Sequence, residues 1–182
     1  MIVAAVGATV AAIAAGTAAM ADDGSSGVNA NSLHEHLTGY EEAVSVSVGG
    51  PLVAISTTGE GDFRVQIDEN TQEITYELSY SSLEGNVLQA HIHFGAVAQA
   101  GGISAFLCTN LGNGPVGTPL CPPAPATVTG TIRPADVVGP AGQGLEAGNF
   151  DELIAAIRAG ATYANVHSSK YPAGEIRAQL GH

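Results

Sequence analysis

Alternation of apolar and polar residues marks much of the chain as β-strand. It is clearest in Val44–Val48, Phe63–Ile67 and Ile74–Tyr80, where every second side chain is suited to a core and its neighbours are suited to water. The polar residues 68–72 separate the second of these segments from the third. We therefore predict a β-hairpin at this place.

Strand patterns recur later in the sequence, and one helix interrupts them. The predicted strands are Val87–Phe94, Ile103–Leu107, Val128–Ile132, Thr162–His167 and Glu175–Leu180. For the helix, Asn149 or Asp151 is suited to the N-cap, Leu153 and Ile157 share an apolar face, and Gly160 ends it. Short strands with frequent turn signals, and no regular alternation of strand and helix, predict an all-β sandwich or barrel with one short helix.

The chain divides into three segments. Residues 1–21 are almost wholly small and apolar and end in Ala-Met-Ala, which predicts a signal peptide. The first cationic residue is Arg64, so the basic start typical of a signal peptide is missing, and a retained apolar segment is the alternative. Residues 22–31 are a polar linker, and residues 32–182 form one domain. We expect membrane contact only if residues 1–21 are retained.

The composition is strongly acidic. The net charge is −12, with five Lys and Arg residues against 17 Asp and Glu residues. A phosphate backbone would be repelled by this charge, so the composition excludes nucleic acid as a partner. Acidity of this kind favours either the binding of cations or solubility in a salty medium.

Two cysteines, Cys108 and Cys121, flank a segment rich in Gly and Pro. In an exported protein, a lone pair of cysteines at short spacing predicts a disulfide, and metal ligation by the two thiolates is the alternative. Together with the apolar segment 1–21, the pair predicts a secreted, periplasmic or cell-surface protein.

The histidines carry the most specific chemistry in the sequence. His91 and His93 lie two residues apart in a predicted strand, so both imidazoles project from one face. His167 lies in another predicted strand. We predict that these three residues bind one transition-metal ion, Cu, Fe or Zn, because each of these metals accepts imidazole. The alternative is that each imidazole is structural and hydrogen-bonds to a carbonyl where strands meet.

A second pair, His34 and His36, has the same spacing near the start of the predicted domain. These two residues are a possible second metal site, or they contribute to the first one. The alternative is an exposed edge strand whose polar side chains face water.

Several segments together resemble one known domain family. They are Ala90–His93 with the Gly-rich loop after it, Tyr163–His167, Gly174–Gln179 and the upstream Leu37–Glu42. This combination resembles the two signature segments and the opening of the chordin-repeat (CHRD) domain, over about residues 33–181. The resemblance implies an extracellular Greek-key β-sandwich, immunoglobulin-like or superoxide-dismutase-like. It implies a fold more firmly than an activity.

Three further residues are candidates for supporting the histidines. Glu175 and Arg177 follow a turn and share a strand face, where a carboxylate is able to orient an imidazole. Alternatively, they pair with other charges and hold the last strand in register. Tyr163 is a candidate hydrogen-bond donor to an oxygen species on the metal, and core packing is its alternative role.

Two functions are compatible with these features. The first is a secreted, non-catalytic module that binds a cell-surface partner or assembles with copies of itself through its long Gly/Pro loops. The second is a redox metalloenzyme, superoxide-dismutase-like, in which three histidines hold Cu or Fe with one open position. The number of ligands separates the two, because structural sites are closed and catalytic sites are open.

Overall fold

The computed structural model describes residues 31–45 and 47–181. The strands in this part are β1 (Ser32–Thr38), β2 (Val44–Ser45), β3 (Leu52–Val53), β4 (Glu60–Asp68), β5 (Glu73–Ser81), β6 (Val87–Phe94), β7 (Gly102–Thr109), β8 (Ala126–Ile132), β9 (Thr162–Ser168) and β10 (Ile176–Leu180), and the helix is α1 (Phe150–Arg158). Within these residues, no helix is long and apolar enough to cross a membrane. The predicted signal segment 1–21 and the predicted linker up to residue 30 lie outside the described residues.

Eight of the strands form one antiparallel sheet in the order β7-β6-β9-β10-β1-β4-β5-β8. The sheet curls until its edge strands β7 and β8 lie beside one another, so that it nearly closes into a barrel. The Tyr76 hydroxyl of β5 donates a hydrogen bond of 2.6 Å to the Leu107 carbonyl of β7 across the interior. The all-β prediction is confirmed, and β4 and β5 form the predicted hairpin.

The apolar side chains at every second position of the strands fill the interior of the barrel. In β4, buried Phe63, Val65 and Ile67 alternate with polar side chains that face away from the core. The helix adds one apolar face to the same core through Phe150, Leu153, Ile154 and Ile157. The apolar residues that recur every second position in β4 and every third or fourth position in α1 are therefore buried, as predicted, in one shared apolar cluster.

The segment Val44–Val48 differs from its prediction. Its strand β2 ends at Ser45, pairs only with Leu52 and Val53, and is followed by a turn in which the Gly50 N–H donates to the Ser47 carbonyl. Val48 is fully exposed. Alternation over five residues was too short a signal here, because two glycines follow it and break the strand.

Strands β9 and β10 depart from simple alternation. Every residue in both strands is buried, so the outer face of these strands is covered as well as the inner face. The turn Gly39–Glu41 and the loop 95–101 cover the outer face. A Cβ at Gly39 would lie 3.1 Å from the Glu175 carbonyl oxygen, next to β10, and 2.3 Å from that of Ile55, so the turn packs closely against both segments. Polar residues on this outer face are therefore enclosed by protein.

The predicted disulfide is confirmed between Cys108, at the end of β7, and Cys121, with both sulfur-bearing side chains buried. Inside the closed loop, the Asn110 amide donates to the Cys121 carbonyl and accepts from the Cys121 N–H. The bridge therefore anchors a long, exposed connection between the two edge strands of the sheet.

We expect the double variant C108A/C121A to lose about 3 kcal/mol of unfolding free energy, because a disulfide over a loop of this size restricts the unfolded chain. Urea denaturation without reductant measures the loss. Reductant should destabilise the wild type to a similar degree and leave the variant unchanged. Equal stability of the two proteins without reductant would contradict the prediction.

Candidate metal centre

The three predicted histidines meet on the outer face of neighbouring strands. His91 and His93 project from β6, whose other face buries Ala90 and Ile92, and His167 projects from β9. In the antiparallel pairing of these strands, His167 lies opposite Gln89. The pairing of β6 with β7 shifts register beside His91 and His93, an irregularity of the kind that re-aims side chains near functional sites.

The imidazoles converge on one point. One nitrogen from each ring lies within 4.8 Å of the others, and His91 Nδ1 lies 3.1 Å from His167 Nε2. Two nitrogens bound to one tetrahedral ion at about 2.0–2.1 Å would lie about 3.3 Å apart. Among the residues that the structure describes, this is the one group of three or more His, Cys, Asp or Glu residues with convergent ligand atoms.

Backbone carbonyls determine the tautomers of two rings. His93 Nδ1 lies 2.9 Å from the Gly101 carbonyl oxygen, and His167 Nδ1 lies 3.0 Å from that of Pro172. Because a carbonyl only accepts, each Nδ1 donates its proton and each Nε2 keeps a free lone pair. This arrangement is typical of metal-binding histidines, whose second nitrogen donates to a carbonyl or carboxylate.

Burial keeps the three rings neutral. Their exposed fractions are 0%, 7% and 6% for His91, His93 and His167. Burial, together with the neighbouring imidazoles, lowers the pKa of His91 to about 2 and that of His167 to about 4. Burial also lowers the pKa of His93, against the opposing effect of the Gly101 hydrogen bond. Neutral imidazole is the form that binds a metal ion.

Two ring nitrogens at the centre have no hydrogen-bond partner. They are the buried Nε2 atoms of His91 and His93. A buried polar atom left without a partner destabilises a fold by about 1–3 kcal/mol. The histidines therefore fit a cation better than they fit a purely structural role, in which each nitrogen would have found a carbonyl.

Tyr163 and Arg177 support His93 from one side. The Tyr163 ring stacks on the His93 ring at a centroid distance of 4.9 Å and an interplanar angle of 3°. The guanidinium carbon of Arg177 lies 3.5 Å from the Tyr163 ring centroid, within cation–π range. The Tyr163 hydroxyl accepts a hydrogen bond from the Gly101 N–H, so Tyr163 also holds the loop whose carbonyl orients His93.

Arg177 is a structural anchor for the same loop. Its guanidinium donates to the carbonyls of Gln99, at 2.8 Å, and Ala96, at 3.0 Å. It also donates to the Gln179 side chain, whose amide donates in turn to the Gly95 carbonyl. Arg177 thus acts on the centre through the loop 95–101 and through Tyr163.

Glu175 contacts residues other than the three histidines. Its Oε1 accepts hydrogen bonds of 2.7 Å from the Thr57 hydroxyl and from the Glu84 N–H. Within the part of the chain that the structure describes, no hydrogen bond joins it to an imidazole. These contacts favour the interpretation that Glu175 ties neighbouring segments to the start of β10.

The sequence did not single out Glu42 and Asn165, which lie beside the centre. Asn165 is opposite both His91 on β6 and Arg177 on β10. Burial raises the pKa of the Glu42 carboxyl to about 7, against the opposing effects of the Arg177 charge and of hydrogen bonds from Ala43 and Asn165. No local signal in the sequence marked either residue.

A glycine makes room for the Glu42 carboxyl. Gly174 has a φ of +139°, and a Cβ at this position would lie 2.5 Å from Glu42 Oε1. The Gly174 position therefore requires glycine both for its backbone conformation and for the space that the carboxyl occupies.

The second pair, His34 and His36, lies apart from the buried cluster. Both side chains project from β1 toward Asp62 of the neighbouring strand β4 and are about half exposed. The strand β1 lies between β10 and β4, so it is an interior strand of the sheet and the predicted edge position is wrong.

Comparison with protein families gives a match to the CHRD domain over residues 34–180. The chain belongs to the CHRD family. The comparisons with curated proteins and with solved structures returned no match. CHRD domains are extracellular, in agreement with the disulfide, and the family suggests a binding or assembly module.

We expect the variant E42Q to become more stable relative to the wild type as pH rises from 4.5 to about 7. The folded protein holds the Glu42 proton up to about pH 7, whereas the unfolded chain releases it near pH 4.5, so this contribution to stability is lost as pH rises. Urea denaturation should show E42Q gaining on the wild type by up to about 1.4 kcal/mol per pH unit.

The exposed Glu146 provides the matched control. E146Q should follow the wild type at every pH. A constant difference between E42Q and the wild type would show that the Glu42 carboxyl has an ordinary pKa in the folded protein.

We expect the histidines to give the opposite pH dependence. The unfolded chain protonates its imidazoles near pH 6.5, whereas folded His91 and His167 stay neutral far below that pH. Their contribution is complete above pH 6.5 and is lost as pH falls. In the metal-free E42Q background, unfolding free energy should fall by at least about 2 kcal/mol from pH 6.5 to 5. The double variant E42Q/H91Q should lose less unfolding free energy over this pH range than E42Q. If the unfolding free energy of E42Q itself does not change between pH 6.5 and 5, the prediction is refuted.

Proposed function

We propose that this chain is a secreted CHRD-domain binding or surface-assembly module whose residues His91, His93 and His167 hold one transition-metal ion. The observation that carries the proposal is the convergence of three buried, neutral imidazoles, two of which have an unpartnered ring nitrogen. Cu, Fe and Zn are the candidate ions, because all three accept imidazole. The location that we propose is extracellular, periplasmic or on the cell surface.

The residues of the chain prepare the centre for an ion. The carbonyls of Gly101 and Pro172 hold the Nε2 lone pairs of His93 and His167 toward the shared space. Between His91 Nδ1 and His167 Nε2 there is room for one proton in the metal-free protein. A bound cation would take the place of this proton, and neutral His91 would then carry its single proton on Nε2, so the three neutral rings should release no net proton when they bind the metal.

Exposed apolar side chains mark the disulfide-closed loop as a candidate partner-binding surface. The loop closed by the disulfide exposes three apolar side chains, Leu111, Val116 and Leu120, at 53%, 104% and 74%. Exposed apolar residues on an anchored loop support a role in contact with a cell-surface partner or with a second copy of the chain. In this module, the metal ion would stabilise the outer layer of the sheet.

A redox metalloenzyme is the second candidate function. The observation that favours it is the number of protein ligands, because three imidazoles leave a position open for a small oxidant. A bound Cu or Fe ion would supply one-electron chemistry there, superoxide-dismutase-like in the simplest case. The buried carboxyl of Glu42 and the side chain of Asn165 lie on the same face.

We expect protein purified from its native source and dialysed against a weak chelator to retain about one equivalent of Cu, Fe or Zn by elemental analysis. H91A should retain less than a tenth of this amount, because one of three ligands is lost. H182A, a histidine change outside the described residues, is the control and should keep the ion. Wild-type protein without a stoichiometric ion would end the proposed metal site.

The same preparation separates the two candidate functions. Consumption of superoxide by the loaded wild type, and its loss in H91A, would support the enzyme. A protein that carries the ion and leaves superoxide untouched would eliminate the dismutase and retain the binding module.

A further inference from the structure

A second cluster of ligand atoms lies on the outer face of β1 and β4. His34 and His36 are two residues apart in β1, so both side chains project outward. The strand register places His36 opposite Asp62 and His34 opposite Arg64. Asp62 is therefore next to both imidazoles, directly across from one and diagonal to the other.

One carboxylate oxygen contacts both rings. Asp62 Oδ1 lies 3.0 Å from His34 Nε2 and 3.6 Å from His36 Nδ1. The side chains are 52%, 55% and 38% exposed for His34, His36 and Asp62. The ligand atoms here do not converge as closely as those of the buried centre, but at this exposure side-chain rotation is able to turn both imidazole nitrogens toward one ion beside the carboxylate.

The surroundings admit a cation. His36, Glu60 and Asp62 line an open cavity of about 470 Å³, which leaves space for the water molecules that complete a coordination shell. Arg64, the cation opposite His34, forms an ion pair of 3.1 Å with Glu77, so a carboxylate offsets its charge. The net charge of −12 attracts cations to the protein as a whole.

We propose that His34, His36 and Asp62 form a second metal site, which binds a divalent ion of the late first transition row, such as Zn²⁺, from solvent. Two imidazoles and one carboxylate suit these ions, with water in the remaining positions. This site differs from the buried centre in exposure, because solvent competes for its ligands and the ion exchanges freely. It therefore binds more weakly, and it exists whether or not the buried centre holds a metal.

Titration calorimetry of the chelator-stripped protein with Zn²⁺ tests the proposal. The wild type should bind two equivalents, the second at least tenfold more weakly than the first. H34A/H36A should lose the weaker equivalent and keep the tighter one, and H91A/H167A should do the reverse. If H34A/H36A binds as many equivalents of Zn²⁺ as the wild type, with the same affinities, the proposal is overturned.

The design separates this site from the buried centre. If the buried centre binds nothing, the wild type should still take up one weak equivalent that disappears in H34A/H36A. If H91A/H167A fails to fold, the comparison of the wild type with H34A/H36A decides alone, because that pair is half exposed and outside the core.

A matched pair of charge variants distinguishes ligation from general attraction. D62N should weaken the second equivalent at least tenfold, because it removes a ligand and a charge. E146Q removes one exposed charge without removing a ligand and without unpairing Arg64 from Glu77, and it should change the affinity less than twofold. Equal weakening by the two variants would show that the acidic surface collects Zn²⁺ without a built site, and the proposal would fail.

Discussion

The enclosure of a polar sheet face is the constraint on which the candidate site depends. Strands β9 and β10 are buried on both sides, with the barrel core beneath them and the loop 95–101 and the turn Gly39–Glu41 above them. Polar groups removed from water must find partners, or the fold is destabilised. Arg177 and Gln179 meet this demand by donating to loop carbonyls, and in doing so they hold the cover in place.

The same enclosure produces the chemistry of the histidines. In water an imidazole is partly protonated near neutral pH, but beneath the loops the rings of His91, His93 and His167 are neutral and close together. Protons compete poorly for nitrogens in such a site, so a metal ion has the advantage. The unpartnered nitrogens of His91 and His93 are the part of the polar layer that the protein itself leaves unsatisfied.

Two His-x-His pairs in one sheet show how strongly the environment alters one motif. The pair in β6 is buried and joined by a third imidazole, whereas the pair in β1 is half exposed and shares the oxygen of Asp62. Spacing along a strand brings two ligands to one face in both cases. The third ligand and the depth of burial come from neighbouring strands, and under the two proposals they would separate a retained ion from an exchangeable one.

The sequence by itself determined the all-β class, the β4–β5 hairpin, the helix and the pairing of two cysteines, because period, caps and spacing are local properties. It also placed His91 and His93 on one face of a strand and His167 in another strand. Tertiary structure decided that β6 and β9 are neighbours, that β1 lies inside the sheet and that the strand beginning at Val44 ends at Ser45. It alone revealed the roles of Glu42 and Asn165, because alternation distinguishes the two faces of a strand and carries no information on whether the polar face meets water or another layer of protein.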